Sequence, residues 1–409
     1  MGMRKDPGPT APSQLWVHSD THRDWLASQS KSLLSFFDAS RHDSLGFVLL
    51  DHDGKPLDSD VQELHTTTRL IHSYALGSLQ GHPGAAQMVD HGMAYLNGHH
   101  KDQMHGGYIW SLQGDDILDA KKLAYGHVFV LLASSSAKLV GHPDADALID
   151  DISDVLDQRF WDEDAGLFRE EWHRDWTPFS DYRGMNANMH GVEALWAAYE
   201  ATGRTVYLQR AGRILDFFTN RMAPESQWRL PEHYHSDWSV AQSYAGNHMF
   251  RPAGTTPGHS FELGRLLLQY WDLMGRPDTE APQNARNLIT QALRDAWLPA
   301  GGLAYTLDFD GTVADASRFW WPVTEAINAY AALILLEENP EDEAHYRQLW
   351  QFADQVFIDH RHGGWFPAIA DDGAPTSSIF AGKPDIYHAL QACLFPLSGR
   401  VSEMVKGWR

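Results

Sequence analysis

The feature of this sequence that most constrains its fold is a polar residue that recurs at nearly equal intervals inside apolar helical stretches. Gaps of 58, 63, 69, 66 and 63 residues separate six such positions, which are Arg69, His127, His190, His259, Glu325 and His388. A near-constant period of this size is typical of one structural unit that is repeated. Titratable groups at equivalent places in each unit would converge on one pocket, and this pattern favours an enzyme.

Two kinds of predicted helix alternate along the chain. The first kind has apolar residues three and four positions apart with charges between them, which is typical of a helix with one face in water. It is predicted at Leu26–Phe37, Gln87–Asn97, Ala147–Phe160, Val206–Thr219, Gln283–Ala296 and Tyr346–Ile358. The second kind is apolar all round, which indicates burial on both sides. It is predicted at Glu63–Leu79, Tyr125–Leu139, Asn186–Ala201, Ser260–Leu273, Pro322–Glu337 and Ile386–Phe395.

Short extended segments rich in glycine and aromatic residues lie between the two kinds of helix, as at Gly301–Tyr305 and Gly363–Phe366. They are typical of strands and turns. Six units of helix, short hairpin and helix predict an all-α fold, an (α/α)6 barrel with the apolar helices as its inner ring. The functional site is expected at the end of that ring next to the hairpins. An open helical solenoid is the alternative.

Composition limits the class of protein and its compartment. With 43% hydrophobic and 21% charged residues the chain is globular rather than disordered. Residues 1–14 lack the apolar segment of a signal peptide and are predicted to be a disordered leader, followed by one catalytic domain at residues 15–409. The lone Cys393 excludes an intramolecular disulfide, and no apolar run is long enough to span a membrane. A cytoplasmic protein is therefore predicted.

Charge and missing motifs exclude several partners and cofactors. The net charge of -22 argues against nucleic acid or an anionic membrane as a partner. The sequence has neither a glycine-rich phosphate loop nor a nucleophile elbow, and no repeated cluster of metal-ligating residues. Neither a cofactor nor a metal is therefore expected. The sequence does not indicate an oligomeric state.

Two histidines are the first candidates for proton transfer. Glu262 follows His259 by three positions, so the two share a helix face and the carboxylate is expected to orient the imidazole. A metal pair or a hydrogen bond at the helix start are the alternatives. His388 is expected in the first turn of the last inner helix, after Asp385 as its N-cap. The positive end of a helix favours a neutral, basic imidazole, which suits a general base, while a core histidine is the alternative.

Polar residues on other inner helices are candidates for ligand contacts. Asn186 and His190 are four positions apart on one face and are expected to bind hydroxyl groups, with capping and a core histidine as the alternative. A buried Arg69 needs a carboxylate or a ligand oxygen, so it belongs either to the site or to a structural ion pair. His127 matches the others by position only and is expected behind the site.

Aromatic residues and one carboxylate complete the candidate set. Glu325 has the same ambiguity as Arg69, and Arg318 is expected to be its partner. Trp320 and Trp321 are expected to form a floor on which a sugar ring packs, with core packing as the alternative. Tyr108 on a rim strand is expected to form part of the pocket wall.

This combination of groups suits proton transfer near neutral pH. Glycoside hydrolysis is less well matched, because it usually needs two carboxylates that flank the scissile bond. Removing a proton next to a sugar carbonyl needs a base and an acid or cation beside the developing enediolate. Histidine supplies the first group, and arginine or a second histidine supplies the other. The expected reaction is aldose–ketose isomerisation or 2-epimerisation.

The chain resembles the N-acylglucosamine 2-epimerase superfamily over residues 20–397, and within it the bacterial aldose–ketose isomerases that act on mannose or sulfoquinovose. The segments that carry the resemblance are Asn186-Ala-Asn-Met-His190, Thr256-Pro-Gly-His259-Ser-Phe-Glu262, Trp321-Pro-Val-Thr-Glu325 and Asp385-Ile-Tyr-His388. The resemblance implies an (α/α)6 barrel, no metal and a cis-enediolate route. It implies that His259 and His388 are the acid/base pair and that Glu262 supports His259. The implied substrate contacts are Arg69, Asn186, His190, Trp321 and Glu325.

Two prolines bear on the substrate that the resemblance implies. The sulfosugar enzymes have glutamines where this chain has Pro367 and Pro384, and proline offers no side-chain donor to a sulfonate. We therefore expect a small neutral sugar, D-mannose converted to D-fructose, with D-lyxose as a further substrate of the same shape. The alternatives are a sulfoquinovose isomerase, a 2-epimerase of the cellobiose or N-acylglucosamine type, and a sugar-binding barrel without activity.

Overall fold

The computed structural model describes residues 15–247, 249 and 251–408, and the predicted leader lies outside them. Six outer helices are α1 (Asp20–Phe37), α3 (Ala85–Tyr95), α5 (Ala145–Val155), α7 (Thr205–Leu215), α10 (Ala281–Ala296) and α12 (Pro340–Val356). Six inner helices are α2 (Leu64–Leu79), α4 (Ala124–Leu139), α6 (Met185–Thr202), α9 (Pro257–Leu273), α11 (Trp320–Leu336) and α13 (Tyr387–Ser398). A single turn, α8 (Ala223–Glu225), follows α7.

Irregular helical turns extend several of these elements. Turns of 3-10 helix lie at Trp16–His18, Asp38–Ser40 and Met404–Trp408, and wider π-helical turns follow three outer helices at Leu96–His100, Leu156–Phe160 and Asp216–Met222. The predicted helices are confirmed to within a few residues at the start of each inner helix. In the part of the chain that the structure describes, no helix combines the length and the apolarity needed to cross a bilayer.

The inner helices form a closed ring. Each packs against the next in the order α2, α4, α6, α9, α11 and α13, and α13 packs back against α2. Every outer helix packs against an inner helix, and α1 packs against α13, so the first and last long helices meet. One apolar core draws residues from all twelve long helices. The (α/α)6 barrel is therefore confirmed, whereas the single-domain assignment of residues 15–409 stays a prediction.

Short antiparallel strand pairs form the rim at one end of the barrel. The strands are β1 (Val61–Glu63), β2 (Ser111–Gln113), β3 (Asp116–Asp119), β4 (Lys122–Leu123), β5 (Trp161–Asp162), β6 (Leu167–Phe168), β7 (Glu171–Trp172), β8 (Arg183–Gly184), β9 (His233–Tyr234), β10 (Thr306–Leu307), β11 (Val313–Asp315), β12 (Arg318–Phe319) and β13 (Ala368–Ile369). They pair as β1-β2-β3, β4-β7, β5-β6, β8-β9, β10-β11 and β12-β13.

The rim pairings follow one rule around the ring. The strand before an inner helix pairs with the strand after the outer helix that follows it: β1 with β2, β4 with β7, β8 with β9, and β12 with β13. Single bridges from Thr255 to Leu307 and from Lys383 to Leu50 complete the circle. These pairings fix where each inner helix begins, and all the candidate side chains except Tyr108 lie on the first two turns of those helices.

Buried cations hold the hairpins of this rim. Nζ of Lys122 lies 2.9 Å from a carboxylate oxygen of Asp102 and donates to the Gly106 carbonyl. Lys383 repeats this arrangement with Asp359 and the carbonyl of Gly363. A third cation, Arg318, donates to the carbonyls of Gly301 and Ala370. The expected Arg318–Glu325 pair is therefore wrong, because a residue on a rim strand directs its side chain to a neighbouring hairpin.

Candidate active site

The first two turns of the inner helices surround a cavity of about 290 Å³ at the rim end of the barrel. This volume is at the small end of the ~300–1,000 Å³ that small-molecule sites span. Eight of the ten predicted site residues line it, and they are Arg69, Asn186, His190, His259, Glu262, Trp320, Trp321 and His388. Because these positions lie on five of the six inner helices, the repeat seen in the sequence is what brings them together.

His388 is held by a buried ion pair. Its Nδ1 lies 2.8 Å from Oε1 of Glu325, whose Oε2 lies 3.1 Å from Nη2 of Arg265. Burial alone would raise the pKa of Glu325, but Arg265 and the hydrogen bond from His388 outweigh it and lower the pKa. Glu325 therefore remains an anion that accepts the Nδ1 proton, so the Nε2 lone pair of His388 is available as a base. Glu325 itself lies behind His388 and does not line the cavity, so the substrate contact that the resemblance implies for Glu325 is wrong.

His259 is held by a carboxylate that the sequence did not indicate. Both oxygens of Glu232 lie 3.0 Å from Nδ1 of His259, and Glu232 is buried just before β9. The expected support from Glu262 is therefore wrong. The two residues share a helix, but the His259 ring faces the rim strand while the Glu262 carboxylate faces His190, 3.5 Å away.

Glu262 and His190 form a neutral pair at the floor of the cavity. Burial, and to a lesser extent the charge of Glu325, hold the pKa of Glu262 well above its usual range. Burial lowers the pKa of His190 to about 4, with a smaller contribution from Arg69, although Glu193 opposes the shift. Within the described residues, neither Glu262 oxygen nor Nδ1 of His190 has a hydrogen-bond partner. Both groups can therefore bind hydroxyl groups of a ligand.

Arg69 supplies positive charge to the cavity. Its guanidinium lies 4.7 Å from the ring centroid of Phe129 and 4.9 Å from that of Tyr387, and it donates to the Tyr125 hydroxyl at 2.7 Å. Nη1 lies 3.5 Å from Asp385. Burial alone would lower the pKa of Arg69, but Tyr125 and Asp385 outweigh it and raise the pKa. The group stays charged and can stabilise a developing oxyanion.

Trp321 forms one wall between the two histidines. Its ring centroid lies 5.1 Å from that of His259 and 5.9 Å from that of His388. A Cβ atom at position 258 would collide with this indole, so only Gly258 leaves room for it. Trp320 packs beside it against Phe380, 5.4 Å between centroids. The aromatic wall thus presents an apolar face next to both imidazoles, as binding of a sugar ring requires.

Another part of the cavity lining is apolar. It is formed by Leu49, Ile379, Phe380, Ala381 and Pro384, and Asn186 lies across the cavity with its side-chain oxygen unpartnered among the described residues. Of the described residues that line the cavity, Arg69 is the only lysine or arginine. An anionic substituent on this apolar side would therefore have no cation to pair with.

The family of the chain follows from a match that spans most of its length. The sequence model of the N-acylglucosamine 2-epimerase (GlcNAc 2-epimerase) family matches residues 46–392. The chain belongs to the N-acylglucosamine 2-epimerase family. The resemblance predicted from the four quoted segments is therefore confirmed.

Within the N-acylglucosamine 2-epimerase family, the chain is similar to several D-mannose isomerases. The D-mannose isomerase of Thermobifida fusca is 40% identical over 392 residues, which cover 94% of this chain and 96% of that protein. The D-mannose isomerase of Pseudomonas cannabina pv. alisalensis is 37% identical, over 93% of this chain and 94% of that protein. A crystal structure of D-mannose isomerase superposes with a TM-score of 0.87 at 31% identity, over 93% of this chain and 98% of that chain.

Tyr108, a predicted wall residue, does not line the cavity. It is fully buried, its hydroxyl donates to Asp151 of α5 at 2.8 Å, and its N–H donates to Nε2 of His127. The expectation that Tyr108 walls the pocket is wrong, because its side chain points toward an outer helix rather than the barrel axis. His127 packs against Tyr108, Phe160 and Trp176, none of which lines the cavity, and its Nδ1 donates to the Leu123 carbonyl at 2.7 Å.

Sequence reasoning missed two residues that this family member uses to hold its histidines. Arg265 is a buried arginine within an apolar helix, so the reasoning applied to Arg69 would have found it. Glu232 is a single carboxylate in the otherwise apolar and aromatic segment Leu230–Tyr234. That isolated charge is its only signal, because nothing in the local sequence indicates which histidine lies opposite.

Two groups of buried side chains have donor atoms close enough to share a metal ion. Glu262 belongs to both, with His190 and Glu193 in one and with Glu325 and His388 in the other. The donors fit poorly, because Nδ1 of His388 carries the proton that Glu325 accepts. Arg265 also lies 3.1 Å from Glu325 and offsets its charge. A site that works without metal stays a prediction.

Proposed function

We propose that this protein interconverts D-mannose and D-fructose by proton transfer through a cis-enediolate. The observation that carries the proposal is the pair of imidazoles, His259 and His388, each held through Nδ1 by a carboxylate and both beside Trp321 in one small cavity. The similarity to D-mannose isomerases over more than nine-tenths of the chain supports the substrate.

The reaction needs a proton to move between neighbouring carbons. In the open aldose, a base removes the C2 proton, and the electron pair forms the C1–C2 double bond of an enediolate. The protonated base, which exchanges its proton with solvent, returns a proton to C1 while the O2 proton is lost and O1 is protonated, so an aldehyde becomes a ketone with no net change in atoms. One imidazole serves as this base, and the other assists ring opening and exchange at O1 and O2. Both His259 and His388 are held through Nδ1 by a carboxylate, so either imidazole can serve as the base.

The other cavity residues serve binding and charge stabilisation in this proposal. The Arg69 guanidinium stabilises the negative oxygen of the enediolate. Asn186, His190 and Glu262 bind hydroxyl groups, and Trp320 and Trp321 pack against the sugar face. Glu325 acts through His388. D-Lyxose fits the same scheme because it lacks only the terminal carbon of mannose.

Partners and location follow from charge and composition. The net charge of -22 disfavours nucleic acid and anionic membranes, so a small sugar is the proposed partner. The lone cysteine fits a reducing compartment, and we propose that the protein is cytoplasmic.

Proton NMR of D-mannose in D2O with EDTA-treated protein tests the proposal. We expect D-fructose to appear, with deuterium from solvent at C1, and His259→Asn and His388→Asn to lose several orders of magnitude in kcat. Glucose as the main product would instead establish a 2-epimerase. Turnover of sulfoquinovose but not mannose would establish a sulfosugar isomerase, and binding without turnover would leave a sugar-binding protein.

A further inference from the structure

Glu232 connects the rim of the barrel to one of the two imidazoles. It is 4% exposed and precedes β9 directly. Its backbone carbonyl accepts a hydrogen bond from the N–H of Met185, the first residue of α6, at 2.9 Å. The carboxylate is therefore anchored by main-chain pairing between two units, and both of its oxygens lie 3.0 Å from Nδ1 of His259.

Among the described residues, the carboxylate of Glu232 forms an ion pair with His259 alone. His259 is the only basic group of the described part of the chain that lies within 4.0 Å of this carboxylate. Glu325 differs, because it shares its charge between His388 and Arg265. A carboxylate that accepts from Nδ1 keeps the proton on that nitrogen and leaves the Nε2 lone pair free on the opposite side of the ring. The same carboxylate stabilises the imidazolium that forms after Nε2 takes up a proton.

We infer that Glu232 is the positioning residue of His259, which selects its Nδ1–H tautomer and stabilises the protonated ring while the sugar is an enediolate. This role presupposes the proposed isomerisation. It takes the place of the support expected from Glu262, whose carboxylate lies beside His190 instead.

Two substitutions separate the charge of Glu232 from its shape. Glu232→Gln keeps the shape and removes the charge, and we expect kcat to fall by ~10²–10⁴, the range typical of general acid–base groups, with KM changed only a few-fold. Glu232→Asp keeps the charge and should restore part of kcat. The matched control is Glu343→Gln on α12, a buried carboxylate paired with Arg347 at 2.6 Å far from the cavity, which should leave kcat unchanged.

A measurement without sugar distinguishes failure of this role from failure of the proposed function. Nitrogen-15 spectra of the histidine rings report which ring nitrogen carries the proton, and His259→Gln assigns the His259 signals. We expect the Nδ1–H tautomer in the wild type and a mixture in Glu232→Gln. An Nε2–H tautomer in the wild type overturns the role, as does a kcat of Glu232→Gln within a few-fold of wild type. A wild type that leaves mannose unchanged overturns the function, while the spectra still decide the role.

Discussion

The imidazole of His388 and the carboxylate of Glu325 meet at 2.8 Å although 63 residues separate them in the chain. The second oxygen of Glu325 lies 3.1 Å from Nη2 of Arg265. His388 on α13, Glu325 on α11 and Arg265 on α9 thus form a buried network of polar and charged side chains across three inner helices. The Arg265 side chain also donates to Gln269 at 2.8 Å. One guanidinium therefore offsets the negative charge that the inner ring carries beneath its candidate site.

Arg265→Met should destabilise the protein strongly. The variant leaves Glu325 and its neighbours buried without their cation, and breaking a buried pair from one side costs about 3–5 kcal/mol. We expect the free energy of unfolding, measured by urea denaturation at pH 7, to fall by that amount. Arg213→Met is the control, because Arg213 pairs with Glu163 at the surface, where such pairs contribute about 0–1 kcal/mol. An equal loss of unfolding free energy in Arg265→Met and Arg213→Met would contradict the conclusion that Arg265 neutralises buried carboxylates.

Mild acid should destabilise the folded protein through its buried histidines. Burial lowers the pKa of His72 and His190 to about 4 and that of His65 and His127 to about 3. Between an unfolded value of ~6.5 and pH ~4, the unfolded chain binds protons that the folded chain does not, so the free energy of unfolding decreases as pH falls. The stability that the folded protein gains by burying these histidines in their neutral form is fully present above pH ~6.5.

Urea denaturation between pH 7.5 and 4.5 measures this dependence. Each such histidine adds about 1.4 kcal/mol per pH unit to the slope within its window. His72→Gln removes one of them and should make the slope shallower, because the ring of His72 bonds only Ser136 and its Nε2 has no partner among the described residues. A free energy of unfolding that stays constant over this pH range would contradict the prediction.

Gly258→Ala should reduce turnover without unfolding the protein. The added methyl group would collide with the Trp321 indole and move it relative to His259 and His388. Misplacing a reacting group by about 1 Å can cost ~100-fold, so we expect kcat to fall ~10–100-fold. Gly98→Ala is the matched control, because no atom lies within 4 Å of the position that its Cβ would occupy. Unchanged kcat in Gly258→Ala would show that the indole position is not critical.

An anionic group at the end of the sugar should abolish recognition. The wall formed by Leu49, Ile379, Phe380, Ala381 and Pro384 offers no cation, and an unpaired buried charge costs several kcal/mol. We expect kcat/KM for D-mannose to exceed that for mannose 6-phosphate or sulfoquinovose by ~100-fold or more. Ala381→Arg should lower this ratio of kcat/KM values, because the introduced guanidinium can pair with the anionic group of the sugar. If the wild type preferred mannose 6-phosphate or sulfoquinovose to D-mannose, the end of the sugar would not lie against this apolar wall.

Much of the fold could be predicted because its signals are local. The alternation of amphipathic and apolar helices depends on spacing within about four turns of chain, and twelve long helices lie where these patterns predict them. The positions of Arg69, His190, His259 and His388 within the first two turns of inner helices follow from the same spacing. The helix boundaries differ by a few residues, because rim strands and caps decide where each helix begins.

The sequence by itself determined the repeat, the two classes of helix and which polar residues lie on the inner ring. Only the tertiary structure decided their partners: Glu232 rather than Glu262 for His259, Arg265 rather than Arg318 for Glu325, and an outer helix for Tyr108. The physical reason is that helical periodicity fixes the face on which a residue lies, whereas an ion pair depends on the direction of two side chains across neighbouring units. That direction is set by strand pairing and packing between segments that are far apart in the chain.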